Sequence, residues 1–212
     1  MSEYSAKDED NDDWSKEEQI DNITCSSSDC ENDQHCFRNK RPRLGSYRNE
    51  TCVVCGVELI DWTRLDKKNL QDVEYTFKSL KYEMVRHHYW HKKIDEGALR
   101  HAQRYGFDGL KEWTPNRLLH SVGPASDDIF RDGMQTPKVG NIVYYGQHAT
   151  ASCCRKCMEE WHGIPRSRPL TKKEIAYFTQ LILLFVRDRM PELAESGKKF
   201  GRQARSSSRQ EQ

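Results

Sequence analysis

The sequence predicts an α+β domain, mainly helical, flanked by two disordered tails. Three observations point to it: a 3-4 apolar periodicity in the middle and again near the end of the chain, one Gly-bounded apolar run of strand length, and a lopsided charge distribution. At 212 residues the chain fits one domain of ordinary size with extensions. Hydrophobic residues make up 35% against 32% charged, and the mean hydropathy is -0.95, too polar for packing along the whole length. Residues 1–37 carry twelve Asp and Glu against Lys7 and Lys16, a net of -10, which leaves +11 on the remainder. So acidic a segment, poor in large apolar residues, cannot offset the entropy of ordering its backbone. Residues 1–48 are therefore expected to be a disordered acidic tail ending in a basic cluster. Residues 49–196 are the domain, and the basic, Ser- and Gln-rich 197–212 a second tail.

Within the domain, Leu70, Val73, Phe77, Leu80 and Met84 line one helical face and predict a long helix over 66–91. A second helix is expected over 95–105, closed by Gly106 at a left-handed cap, and a third over 109–119 with a break near Pro115. The run NIVYY, 141–145, lies between Gly140 and Gly146 and reads as a short buried strand in a hairpin. A helix should follow Cys157 through Trp161. Thr171 and Glu174 form a capping box ahead of an apolar helix over 172–190, which Pro191 stops.

No apolar run approaches the roughly 18 residues that cross a bilayer, and the acidic N-terminus is unlike a secretory signal. A soluble intracellular protein is expected, whose eight cysteines stay reduced and are read for metal ligation before disulfides. Cys52-Val-Val-Cys55-Gly56 has the form of a zinc knuckle, and Cys154 with Cys157 would sit in the first turn of the helix after the predicted strand. Knuckle, strand and helix in that order predict a treble-clef-like domain with one Zn2+ on Cys52, Cys55, Cys154 and Cys157. Two separate sites are the alternative. Cys52 and Cys55 would then pair with His87 and His91, one helical turn apart, while Cys154 or Cys153, Cys157, His148 and His162 would hold a second ion. The histidines fit equally well as packed members of the helical stripe.

The stretch 132–185 resembles a small family of unknown function, found mainly in bacteria and phages. Its QTP, QHATATCC, Cys-x-x-Cys and WHGIP elements recur here at 135–137, 147–154, 154–157 and 161–165, with weaker similarity back to about Lys92. The resemblance implies no activity. It does imply a metal set of His148, Cys154, Cys157 and one further residue, without Cys52 and Cys55.

For function, the expected class is a nuclear zinc module that contacts nucleic acid without strong sequence specificity or serves as an adaptor for a nuclear protein. Lys40, Arg41 and Arg43 form a basic cluster that an import receptor could read. Arg155 and Lys156, between two candidate ligands, would project toward phosphates. The enzymatic alternative is an HNH-like metal-dependent nuclease with His148 as general base and His162 as the helix residue. Only five residues separate His148 from Cys154, which leaves little room for the loop such sites carry.

Overall fold

The computed structural model describes residues 23–39, 48–129 and 131–198, and seven α-helices are found among them. These are α1 (Trp62–Asp66), α2 (Val73–Leu80), α3 (Met84–His91), α4 (Glu96–Ser121), α5 (Ile142–Ala149), α6 (Arg155–His162) and α7 (Lys172–Arg189). No helix among the described residues is long and apolar enough to cross a membrane. The expectations for residues 1–22, for Lys40, Arg41 and Arg43, and for 199–212 lie outside the described residues.

Local signals place α7. The Thr171 hydroxyl accepts from the Glu174 amide while the Glu174 carboxylate accepts from the Thr171 amide, so two otherwise orphaned donors are satisfied. The buried face of α7 packs on α2, α4 and α5. Phe185 meets Trp90 edge-on at 5.6 Å, Trp90 meets Phe77 at 4.2 Å, and the Tyr177 hydroxyl donates to Thr76 at 2.9 Å.

Four expectations are corrected. The predicted strand at 141–145 is the start of α5, and the described residues contain isolated bridges and no sheet. Asn141 caps α5 by accepting from the Val143 amide at 2.8 Å, and α3, α4 and α7 cover the helix from several sides. A short helix buried all round lacks the polar face that would betray its period, so Ile142, Val143 and Tyr145 read as a strand. With the strand goes the treble-clef hairpin.

The long helix at 66–91 is instead a 3-10 turn, α2 and α3, broken at 81–83. The break has a non-local cause: His35 pairs there, its amide donating to Tyr82 O at 2.7 Å and its carbonyl accepting from Met84 N at 3.0 Å. Those bonds replace the ones a continuous helix would make.

The expected break at Pro115 does not occur, and α4 continues to Ser121. The turns around the proline are braced by Thr114 Oγ1 to Leu110 O (2.7 Å) and Ser121 Oγ to Arg117 O (2.7 Å), and Leu118 beyond it is fully buried. The interruption lies at Gly106, with φ 65° and ψ 177°.

The arm 23–39, assigned by composition to the unfolded tail, packs on the domain. His35, Cys36 and Phe37 are buried, and Phe37 lies edge-on to Trp62 (5.6 Å) and Trp161 (6.1 Å). The arm also pairs with residues 49–53, through Asn49 N to Phe37 O and Val53 N to Cys36 O, both 2.9 Å.

The C-terminal segment crosses the kink in α4. Phe107 N donates to Ala194 O (3.0 Å), Asp108 N to Glu195 O (2.9 Å) and Lys198 N to Gln103 O (2.8 Å). A Cβ on Gly106 would fall on the backbone of residues 195–197, in a φ region that disfavours any side chain. Gly106→Ala is therefore expected to cost about 2 kcal/mol and lower Tm by about 5 °C, and to open the chain to tryptic cleavage at Lys198. An unchanged melting curve and cleavage pattern would refute this account of the kink.

Candidate metal centre

Two groups of metal-ligating side chains are found among the described residues: Cys30, His35, Cys52 and Cys55, and Cys153, Cys154 and Cys157. Within each group the ligand atoms lie within 4.8 Å of one another, and each can hold a metal ion. All these cysteines are free thiols.

The first group is built from two tight turns. Gly56, at φ 75°, lets the knuckle close with its amide on Cys52 O at 2.9 Å, while Val54 N points at Cys52 Sγ at 3.5 Å. Burial raises the Cys52 pKa, but amides of Cys55, Cys36 and Val54 outweigh it and bring the thiol down to about 6, favouring the thiolate. The facing turn is a 3-10 helix, Cys30–Asn32, ended by Asp33 at φ 57° and closed by the Asp29–Gln34 bridge. It sets Cys30 Sγ 3.7 Å from Cys52 Sγ, well beyond a disulfide bond length. His35 Nδ1 is 3.4 Å from Cys55 Sγ, and the other ring nitrogen, Nε2, donates to Asp33 Oδ1 at 3.0 Å. A carboxylate on the far nitrogen fixes the tautomer that leaves Nδ1 as a lone-pair donor.

The second group sits at the N-terminus of α6 and is buried throughout. Cys154 caps the helix, its sulfur accepting from Cys157 N at 3.4 Å. The family-like motifs serve this turn. Thr136 of QTP donates to Cys153 O (2.8 Å), and Ser152 N donates to Gln147 O (2.8 Å). From WHGIP, Trp161 Nε1 donates to Glu83 Oε2 (2.5 Å) and Gly163 ends α6 in the left-handed region. Beside the sulfurs lies the buried pair Glu83 and Arg86, with Nε to Oε2 at 2.8 Å and Arg86 Nη2 to Cys157 Sγ at 3.4 Å. Burial pushes the Glu83 carboxyl up to about 7 against the pull of Arg86.

The structure thus separates the two Cys-x-x-Cys pairs expected to share one ion: Cys52 and Cys55 fall in one group, Cys154 and Cys157 in the other. None of the alternate histidines joins either group. His87 and His91 lie against each other on α3, their rings tilted by 39° with centres 4.2 Å apart. His148 stacks on Tyr89 at 4.3 Å, and its Nε2 lies 3.2 Å from Thr136 O and 3.3 Å from Pro137 O. Burial, then the Arg86 charge, brings its pKa down to about 4, a weak base for the nuclease role. The residues missed from the sequence are Cys30 and His35. The available signal was four potential ligands, Cys25, Cys30, His35 and Cys36, within twelve residues of a supposed tail.

Arg155 is also corrected as a nucleic-acid contact. It is fully buried, and its guanidinium donates to the carbonyls of Val122 (3.3 Å), Pro165 (2.7 Å) and Arg168 (2.9 Å), tying loops to α6. Lys156 is exposed.

His162 is fully buried and donates through Nε2 to Thr150 O at 3.0 Å. Burial lowers its pKa from 6.5 to about 3. The unfolded chain thus takes up the proton first, so this stability is complete above pH 6.5 and is lost as pH falls toward 3. Between pH 7 and 5 the loss is about 2 kcal/mol. His162→Gln keeps a donor for Thr150 and is expected to be less stable at pH 7, yet to lose about 2 kcal/mol less over that interval. Urea midpoints at the two pH values test this; an unaltered pH dependence in the variant would contradict it.

A family model described as a domain of unknown function, DUF4186, matches residues 74–187. The second metal-ligating group lies inside the matched region and the first lies before it. No solved structure matches the chain. Because the match covers more than half of the sequence, the chain belongs to the family DUF4186, whose function is unknown.

Proposed function

We propose that this chain is a zinc-held binding module in which an ion on Cys30, His35, Cys52 and Cys55 fixes the arm 23–39 to the helical domain. One observation carries the reading: the four donors converge within 4.8 Å, and two of their pairs stand at the spacing of a zinc tetrahedron. With Zn–S near 2.3 Å and Zn–N near 2.0 Å, tetrahedral neighbours stand about 3.8 Å apart for two sulfurs and about 3.5 Å for sulfur and nitrogen. The Cys30–Cys52 and Cys55–His35 separations are 3.7 and 3.4 Å. Three thiols and an imidazole select zinc over hard cations, and four protein ligands leave no open position for substrate. Such a site supplies folding energy, which favours a module that presents a surface over a hydrolase.

The partner is proposed to be a nuclear protein. The knuckle tip exposes Val53 and Val54, held rigid between two ligands, which suits an apolar protein contact. Nucleic acid is the second reading. Lys156 remains exposed for it, whereas Arg155 is committed to backbone carbonyls.

Full-length protein purified with zinc is expected to lose one equivalent of bound metal on Cys52→Ser. With it should go a few kcal/mol of stability, about 10 °C in Tm, and the arm should become sensitive to protease. Elemental analysis and limited proteolysis read both. Undiminished zinc in the variant would end the proposal.

A further inference from the structure

We propose that a second zinc ion is held by four thiolates, Cys153, Cys154 and Cys157 of the DUF4186 domain together with Cys25 of the arm. This extends the zinc reading above to another ion, and the two stand or fall separately because they share no ligand.

Three buried thiols converging within 4.8 Å are one donor short of a closed tetrahedral set. The fourth comes from a distant part of the chain: Cys25, half-buried against the core, lies beside Cys157 and the Arg86 guanidinium but outside the 4.8 Å group, so closing the set draws its thiol inward. The Cys25 carbonyl is held by the Cys36 thiol at 3.6 Å, and Cys36 is itself fully buried, so the arm's path brings Cys25 to this spot by its own packing. Five residues beyond Cys25, the arm has already entered the first site through Cys30.

The surroundings suit anionic sulfur better than four neutral thiols. Cys154 receives a backbone amide at the N-terminus of α6, where the helix dipole favours negative charge. Arg86 brings a fully buried guanidinium to 3.4 Å from Cys157 Sγ. Its carboxylate partner among the described residues, Glu83, also accepts from the Trp161 indole. A zinc ion with four thiolates carries a net double negative charge, and a buried cation and a helix N-terminus are the means by which such charge is compensated in a protein interior. Cysteines that serve as small core hydrophobes need neither. In this arrangement the arm is stapled at two points, by Cys25 to α6 and by Cys30 and His35 to the knuckle.

The test uses the full-length chain, with zinc counted by elemental analysis and the ligand set read from the absorption spectrum after Co2+ substitution. The parent is expected to bind two ions. Cys25→Ser should lose one and leave the spectrum of a site with three sulfurs and one nitrogen. Cys30→Ser should lose the other and leave an all-sulfur spectrum. Cys25→His, which restores a zinc-binding donor, should recover two zinc ions with a shifted cobalt spectrum; this variant keeps the test open if Cys25→Ser fails to fold. Two ions retained in Cys25→Ser would overturn the assignment. So would a parent with a single ion that Cys30→Ser removes, which would leave the first site standing. A parent with one ion lost only in Cys25→Ser would sink the first site and keep this one. A Cys25–Cys157 disulfide, detected by mass spectrometry after thiol alkylation, would also overturn it.

Discussion

The buried pair of Glu83 and Arg86 is the joint on which the arrangement of helices depends. Glu83 lies at the break between α2 and α3, and Arg86 is three residues into the next turn. Their side chains reach two other elements: Arg86 donates to His148 O at the end of α5 (2.8 Å) and to Cys157 Sγ on α6, while Glu83 accepts from Trp161, also on α6. A buried ion pair seldom adds stability over apolar packing of the same volume, but removing one partner costs about 3–5 kcal/mol. Its value here is therefore in geometry. It orients α6, and with it the three cysteines, relative to α3 and α5. The same break admits His35 through backbone pairing at Tyr82 and Met84, so the joint also positions a residue of the first metal-ligating group.

The family-like motifs take on a physical sense in this frame. QTP, QHATASCC and WHGIP are not a row of reactive groups facing solvent. They are the two ends of α6 and the loops that hold them. Thr136 secures the Cys153 carbonyl, Asp132 accepts from the Arg155 amide (3.1 Å), and Arg155 gathers the carbonyls of Val122, Pro165 and Arg168 beneath the helix. A cysteine-rich helix start braced on every side is built for invariance of position, which is what a structural metal site requires and a general base does not.

The parts of the fold legible in the sequence are those whose cause is local. The capping box of α7 and the helix after Cys157 are fixed by residues within a turn of each other. The misreadings share a different feature, which is that the deciding partner is far along the chain. Phe77, Leu80 and Met84 do keep helical spacing, but whether one helix or two results is settled by His35, nearly fifty residues earlier. The run at 141–145 has the composition of a strand and becomes a helix because Asn141 caps it and three helices enclose it. Cys52 and Cys55 were recognisable as candidate ligands from the knuckle alone. Their partners were not, because Cys30 and His35 sit in a stretch whose charge argued for an unfolded tail.

The acidic composition of the arm bears on how it is held. The arm is poor in large apolar side chains, and Phe37 with the half-buried Ile23 offers little area to offset the conformational entropy lost in ordering seventeen residues on a surface. Composition is thus a sound argument that the arm would not fold by burial, and an unsound one that it would not fold at all. Ligand bonds need few residues and no apolar area, so an arm that contributes Cys30 and His35 can dock where hydrophobic packing would fail. Its acidic residues are compatible with this, and Asp33 participates directly by fixing the imidazole of His35. On the proposed zinc reading, the arm's docking is coupled to metal supply and to pH, because thiols must lose protons to bind and the ion adds to the backbone pairing and the Phe37 packing that already hold the segment.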